Sequence, residues 1–297
     1  MLVRRWLDAA DITDPVLRHC YTTCVRELAT ADGGTARWHG LRSARAEARP
    51  HAAALLAHGC RADRCVDTGP VGDRRRRFAA FADATWAAFA AGGSHDPVLH
   101  ATVHTYRTFG LPLSVVEDMF TAMRRDLDFR DFATFEELRR WCVRMTGGPM
   151  AMVYRVTGAV ADPAQEPPVR ELSVFAQLTD ALRDLSEDLD DGRLYLPLED
   201  LDRFDVRAED IKAKRWTPGM ADLVAFETER VTERLHAAAE VDLGPLSGLW
   251  HAHREHMAVI IDAVLAAGQD VLHRPVQPPL GTLLHVWRPL MRTVIPC

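Results

Sequence analysis

The sequence is poor in everything that would mark a sheet, a covalent staple or a membrane anchor. Across its 297 residues almost no stretch alternates apolar and polar side chains as a strand does. Six cysteines, at 20, 24, 60, 65, 142 and 297, form no C-x-x-C pair and no zinc spacing, which sets aside a zinc ribbon and fits a reduced, cytoplasmic chain. No apolar run is long enough to span a bilayer, and the opening Met1 to Trp6 lacks a signal-peptide core, so no integral membrane segment is expected. The net charge of -6 gives no reason to expect a nucleic-acid partner. Phosphate-loop, nucleophile-elbow, H-E-x-x-H and nicotinamide-binding patterns are all missing.

What remains is helical periodicity. The spacing predicts helices over Phe78 to Ala91, Pro97 to Tyr106, Leu113 to Leu127, Phe135 to Val160, Val169 to Leu189, Met220 to Ala239 and Leu246 to Ala267. Breaks fall at Gly92 to Ser94, Phe109 to Pro112, Asp162-Pro163 with Pro167-Pro168, Thr217 to Gly219, and Pro275 with Pro278-Pro279. Pro149 should kink the helix that contains it. Composition does not change along the chain and no repeat of fixed period occurs, so residues 1–297 are expected to form a single all-α domain. The basic run Arg74 to Arg77 reads as a solvated face, with phosphate contact the alternative. His251, His253 and His256 also read as a solvated helix face, lacking a third ligand motif. Asp200, Asp202, Asp205 and Asp210 fall in a loop-like stretch without EF-hand spacing.

The segment from Gln177 to Pro197 carries the most chemistry. On a helix, Gln177, Asp180, Asp184, Glu187 and Asp188 share one side, while Phe175, Leu178, Leu182, Leu185 and Leu189 share another. Carboxylates crowded in this way repel unless a cation shares them, and D-x-x-x-D oxygens suit Mg²⁺ bound together with substrate phosphates. A solvated acidic face is the alternative for an isolated motif. Here Arg183 lies inside the cluster and Gly192-Arg193 follows it, supplying guanidinium groups that can grip a diphosphate. A second D-x-x-x-D, Asp63 to Asp67, follows the apolar stretch Ala52 to Ala57 and could face the first across a metal cluster.

Together these segments resemble the squalene and phytoene synthase family. Gln177 to Pro197 is similar to its N-x-x-R-D-x-x-E-D…G-R-x-Y-L-P signature, and Asp63 to Asp67 to its D-D-x-V-D. Ala122 to Leu127 resembles the G-M-x-x-D-L element, and Trp141-Cys142 stands where the family has Tyr-Cys. The resemblance runs from about residue 15 to about residue 275. It implies the isoprenoid synthase fold, a single helical bundle with a central cavity, in which Mg²⁺ and basic residues help an allylic prenyl diphosphate depart as pyrophosphate. Asp63, Asp67, Asp184 and Asp188 would then ligate metal, with Glu187 beside them. Arg61, Arg64, Arg183, Arg193 and Tyr195 would hold or cover the diphosphate, with Gln177 and Asp180 nearby. Asp126 would face the cavity, orienting the acceptor or taking its proton.

The sequence departs from that family at several positions. Arg64 replaces the second Asp of D-D-x-V-D, Cys60 stands where an Arg is usual, with Arg61 one place along, and Asp180 replaces an Asn. Along the helix from Trp141, where the family runs small residues, this chain has Met145, Met150 and Met152, which either reshape the substrate tunnel or fill core. These changes spare the ionising machinery and alter the seat of a second long diphosphate. They resemble the divergent members that prenylate aromatic acceptors such as carbazoles, so the expected activity is prenyl transfer to an aromatic carbon. The alternatives are head-to-head condensation of two prenyl diphosphates, as in phytoene or squalene synthase, and a helical scaffold without catalysis.

Overall fold

The computed structural model describes residues 2–30, 40–160, 166–238 and 241–293, and every regular element among them is helical. In chain order they are α1 (Leu2–Ala9), α2 (Pro15–Thr30), α3 (Arg49–Asp67), α4 (Val71–Ala91), α5 (Pro97–Phe109), α6 (Ser114–Leu127) and α7 (Phe135–Cys142). A π-helical turn over Val143–Gly147 leads into α8 (Gly148–Val156). There follow α9 (Glu166–Arg183), α10 (Leu185–Asp190), α11 (Leu198–Arg203), α12 (Ala208–Lys212), α13 (Pro218–Ala237), α14 (Ser247–Ala267) and α15 (Leu280–Thr293). No described helix is long and apolar enough to cross a membrane. The expected break at Asp162-Pro163 and the thiol of Cys297 lie outside the described residues.

Helix α3 is the pivot of the amino-terminal half. Its buried Ala52, Ala53, Ala54 and Ala57 present almost no side-chain bulk, so α2 and α5 pack closely against it and bury Trp6, Tyr21, Leu28 and Val98. Its far end carries the acidic motif. On the other side, α9 packs against the π turn, α8, α13 and α14, so the two acid-bearing elements face each other across a hollow bundle.

Several expectations need correction. The segment expected as one helix over Phe135 to Val160 is two helices joined by the π turn, whose widened hydrogen-bond ladder ends just before Pro149, a residue that has no amide hydrogen to continue it. Gly147 permits the tight packing there, because a Cβ at this position would meet the Arg170 carbonyl oxygen of α9 at 3.0 Å. The predicted helix over Val169 to Leu189 breaks at Asp184, with φ -101° and ψ 13°. Pro167-Pro168 lies within the opening turn of α9 rather than in a break, as proline is tolerated there. The stretch around Asp200 to Asp210, expected as loop, forms α11 and α12, and Asp200 is buried in an ion pair with Arg230 at 2.8 Å.

Candidate active site

A cavity of about 940 Å³ runs into the bundle. Its carboxylate-bearing end is wet: Asp63, Asp67 and Glu187 are exposed there. Its interior is lined by buried apolar side chains, among them Met123, Leu138, Met152, Leu172 and Trp250. The volume is near the upper end of the roughly 300–1,000 Å³ usual for small-molecule sites. A polar mouth above an apolar shaft suits a ligand with a charged head and a hydrocarbon tail.

Asp67 is the last residue of α3, where the helix dipole disfavours a negative charge and a neighbouring cation is needed. Arg193 supplies it. Gly192, at φ +77°, reverses the chain after α10, and the Arg193 amide donates to the Asp188 carbonyl at 2.7 Å. That turn aims the Arg193 guanidinium back between the two acidic motifs, 3.0 Å from Asp67, 3.4 Å from Asp188 and 3.2 Å from Asp191. Arg74 of α4 reaches Asp191 from the other side at 2.8 Å. Arg183 pairs with Asp180 at 2.7 Å, and its Nε donates to Asp184 at 2.8 Å.

The mouth is therefore a mosaic of carboxylates held apart by guanidinium groups. Burial pushes the Asp188 carboxyl up to about 7, with Arg193 opposing and the neighbouring Asp184, Asp67 and Asp191 adding to the rise. Among the described residues no three potential ligands converge into a ready metal cage. The donor chemistry nevertheless fits a hard divalent cation: the oxygens are carboxylates, they come from both motifs, and their crowding is relieved by positive charge. Asp63, Asp67, Asp184, Glu187 and Asp188 all line the cavity and are the carboxylates that could hold one.

One layer further in, Trp141 stacks on Tyr195 with ring centroids 5.1 Å apart, and Phe129 meets Tyr195 edge-on at 5.2 Å. Trp141 Nε1–H donates to the Ala122 carbonyl at 3.2 Å, which fixes that wall. Asp126 lies beside this aromatic layer. Burial raises its carboxyl to about 7, while Arg193 and a hydrogen bond from Tyr195 pull it down, and its Oδ1 has no partner among the described residues. Burial, with Asp126 close by, pushes the Tyr195 phenol far up, so Tyr195 is a hydrogen-bond donor throughout the physiological range.

Of the residues singled out from the sequence, Asp63, Asp67, Asp126, Trp141, Met145, Met150, Gln177, Asp180, Arg183, Asp184, Glu187, Asp188, Arg193 and Tyr195 all line this cavity. Two do not. Arg61 points away and is clamped by Glu27 at 2.5 Å and Asp96 at 2.7 Å, so it is committed to tying α3 to α2 and α5. Arg64 is exposed and off the cavity wall, one helix step of about 100° from Asp63.

The sequence reading also missed residues. Arg74, read as solvated, is only 14% exposed and sits at the mouth. Asp191 joins it. His253, read as part of a solvated face, lines the interior with Trp250 and Met257, whereas His251 is exposed as expected. The i, i+3, i+7 spacing of Trp250, His253 and Met257 was the available signal for that face.

Comparison with known proteins shows the family and the fold. The family model described as squalene/phytoene synthase matches residues 35–282. The chain is 37% identical over 155 residues to a 15-cis-phytoene synthase of Synechocystis sp., a match covering 47% of this chain and 45% of that protein. It is 30% identical over 168 residues to a phytoene synthase of Arthrospira platensis, covering 52% and 54%. The match therefore spans about half the length of these relatives. Among solved structures, squalene synthase HpnC from Alicyclobacillus acidocaldarius superposes with a TM-score of 0.77 at 24% identity, covering 88% of this chain and 98% of that one.

Proposed function

The chain belongs to the squalene/phytoene synthase family, with its all-α isoprenoid synthase fold, and from that premise we propose that it condenses two prenyl diphosphates head to head. The observation that carries the proposal is the joining, in one cavity, of a carboxylate and guanidinium mouth to a deep apolar interior. Asp63, Asp67, Asp184, Glu187 and Asp188 would hold Mg²⁺, which would supply Lewis-acid stabilisation of the departing diphosphate. Arg74, Arg183 and Arg193 exchange their carboxylate partners for diphosphate oxygens, which the forked guanidinium geometry favours. Trp141, Tyr195 and the methionines wall the interior against water, which would otherwise capture the allylic cation.

Transfer to an aromatic carbon is the competing reading. It draws on Met145, Met150 and Met152, which do line the cavity. Its other support weakens, because Arg64 lies off the cavity wall, and the named relatives are phytoene synthases. Incubation of the purified protein with Mg²⁺ and farnesyl or geranylgeranyl diphosphate separates the readings. A C30 or C40 hydrocarbon from the diphosphate alone supports head-to-head joining. Pyrophosphate release that depends on an added aromatic, without such a hydrocarbon, favours aryl transfer. No pyrophosphate from any donor favours a scaffold.

A further inference from the structure

Elsewhere in the protein, buried imidazoles have hydrogen-bond partners. His51 Nδ1 lies 2.9 Å from the Tyr21 hydroxyl and 3.1 Å from that of Thr105, and His58 Nε2 lies 3.3 Å from the Thr85 hydroxyl. His253 differs. Neither of its ring nitrogens has a hydrogen-bond partner among the described residues, and its one ring contact there is with Trp287. It sits on the cavity wall between the buried Trp250 and Met257, away from the carboxylates of the mouth. The ring is half-buried and its nitrogens are not sealed off, so they stay open to what the cavity holds.

The ring is also held in place. Trp287 of α15 meets it edge to face, with centroids 5.0 Å apart at 87°. Trp287 is itself oriented by its Nε1–H, which donates to His256 Nδ1 at 3.0 Å. Burial, with a smaller contribution from His256, lowers the His253 pKa to about 4, so the imidazole is uncharged near neutral pH. An uncharged imidazole has a free lone pair, does not repel an approaching carbocation, and is an adequate base for a proton next to a cationic carbon.

We infer that His253 is the proton acceptor that terminates the carbocation sequence inside the cavity, with Trp287 and His256 as its positioning residues. The inference rests on the prenyl-transfer reading above. In the first step the allylic C–O bond breaks and its electron pair leaves with pyrophosphate. The π pair of the second prenyl diphosphate then forms the new C–C bond, a C–H beside the resulting cation gives up its proton, and the remaining C–O bond breaks with its pair leaving as the second pyrophosphate, which leaves a cation on the joined chain. A neighbouring C–H gives its proton to the unprotonated ring nitrogen of His253, and the C–H pair becomes the new double bond. The imidazolium passes its proton on to pyrophosphate or to water at the mouth.

The test compares wild type, His253→Ala and the size-conserving His253→Gln as full-length proteins with Mg²⁺ and one prenyl diphosphate, following pyrophosphate and organic products separately. Hydrocarbon formation is expected to fall by about 100-fold or more, the range for losing a general base. Pyrophosphate release should fall far less, with the missing carbon recovered as prenyl alcohol or isomeric alkenes. Added imidazole should restore the wild-type product in His253→Ala. Trp287→Ala should divert product in the same direction, less strongly. An unchanged ratio of hydrocarbon to pyrophosphate in both His253 variants overturns the inference, and so does a parallel loss of both signals without imidazole rescue. If the wild type releases no pyrophosphate at all, prenyl transfer itself is refuted and the inference falls with it.

Discussion

Replacing Arg193 by alanine tests the mouth most directly. The guanidinium is 15% exposed and lies beside Asp188, which is 14% exposed, while Asp67 at 41% and Asp191 at 31% remain open to solvent. Breaking a fully buried pair costs about 3–5 kcal/mol, and an exposed pair is worth about 0–1 kcal/mol. The Asp188 contact is mostly desolvated but long, and the other two are screened. The expected loss of stability is therefore about 2–3 kcal/mol, or a fall in Tm of roughly 5–10 °C at the few degrees per kcal/mol usual for a chain of this size. The variant leaves Asp67, Asp188 and Asp191 without their shared counter-charge, so Mg²⁺ should raise its Tm more than it raises that of the wild type. Differential scanning fluorimetry with and without Mg²⁺ reads both effects. A Tm within about 2 °C of wild type, well inside the expected shift, would show that the carboxylates do not need Arg193. An equal Mg²⁺ increment in both proteins would show that they do not form the cation site.

Other consequences can be checked separately. Asp184→Ala should reduce pyrophosphate release by at least about 100-fold, the order seen when charge stabilisation at a reacting centre is removed, while circular dichroism stays helical; retained turnover would remove Asp184 from the ligand set. Gly147→Ala should destabilise the fold by about 1–3 kcal/mol through overpacking, because its Cβ would meet the Arg170 carbonyl oxygen at 3.0 Å; an unchanged urea midpoint would contradict that close approach. His58, lowered to about 4 mainly by burial and next by Arg61, binds a proton less readily when folded than when unfolded. The stability that it contributes is thus present above its ordinary pKa and is lost as pH falls from about 6.5 towards 4, by about 2 kcal/mol at pH 5. His58→Asn should therefore lose less stability than wild type between pH 7 and pH 5 in chemical denaturation, and an identical loss would refute the assignment.

The acidic stripe was legible because its geometry is local. Residues three and four apart on a helix share a side whatever surrounds them, so Gln177, Asp180, Asp184, Glu187 and Asp188 reach the cavity together even though the helix breaks at Asp184. Arg61 and Arg64 were misplaced for the complementary reason. Both flank the Asp63 motif in sequence, but which of them faces the cavity depends on how α3 is rotated, and Glu27 and Asp96 of other helices fix that rotation by clamping Arg61. Likewise, the spacing of Trp250, His253 and Met257 puts them on one helix side, but only packing decides that this side lines the cavity.

By itself, then, the sequence determined the all-helical class, the two carboxylate motifs and the Gly192-Arg193 turn, since each follows from backbone periodicity and short-range stereochemistry. The tertiary structure decided which side chains share one cavity: Arg193 between two acidic motifs, Arg74 against Asp191, Arg61 withdrawn, and His253 on the cavity wall with Trp250 and Met257. Those relations join residues far apart in the chain, and they depend on helix rotation and packing, which no local pattern specifies.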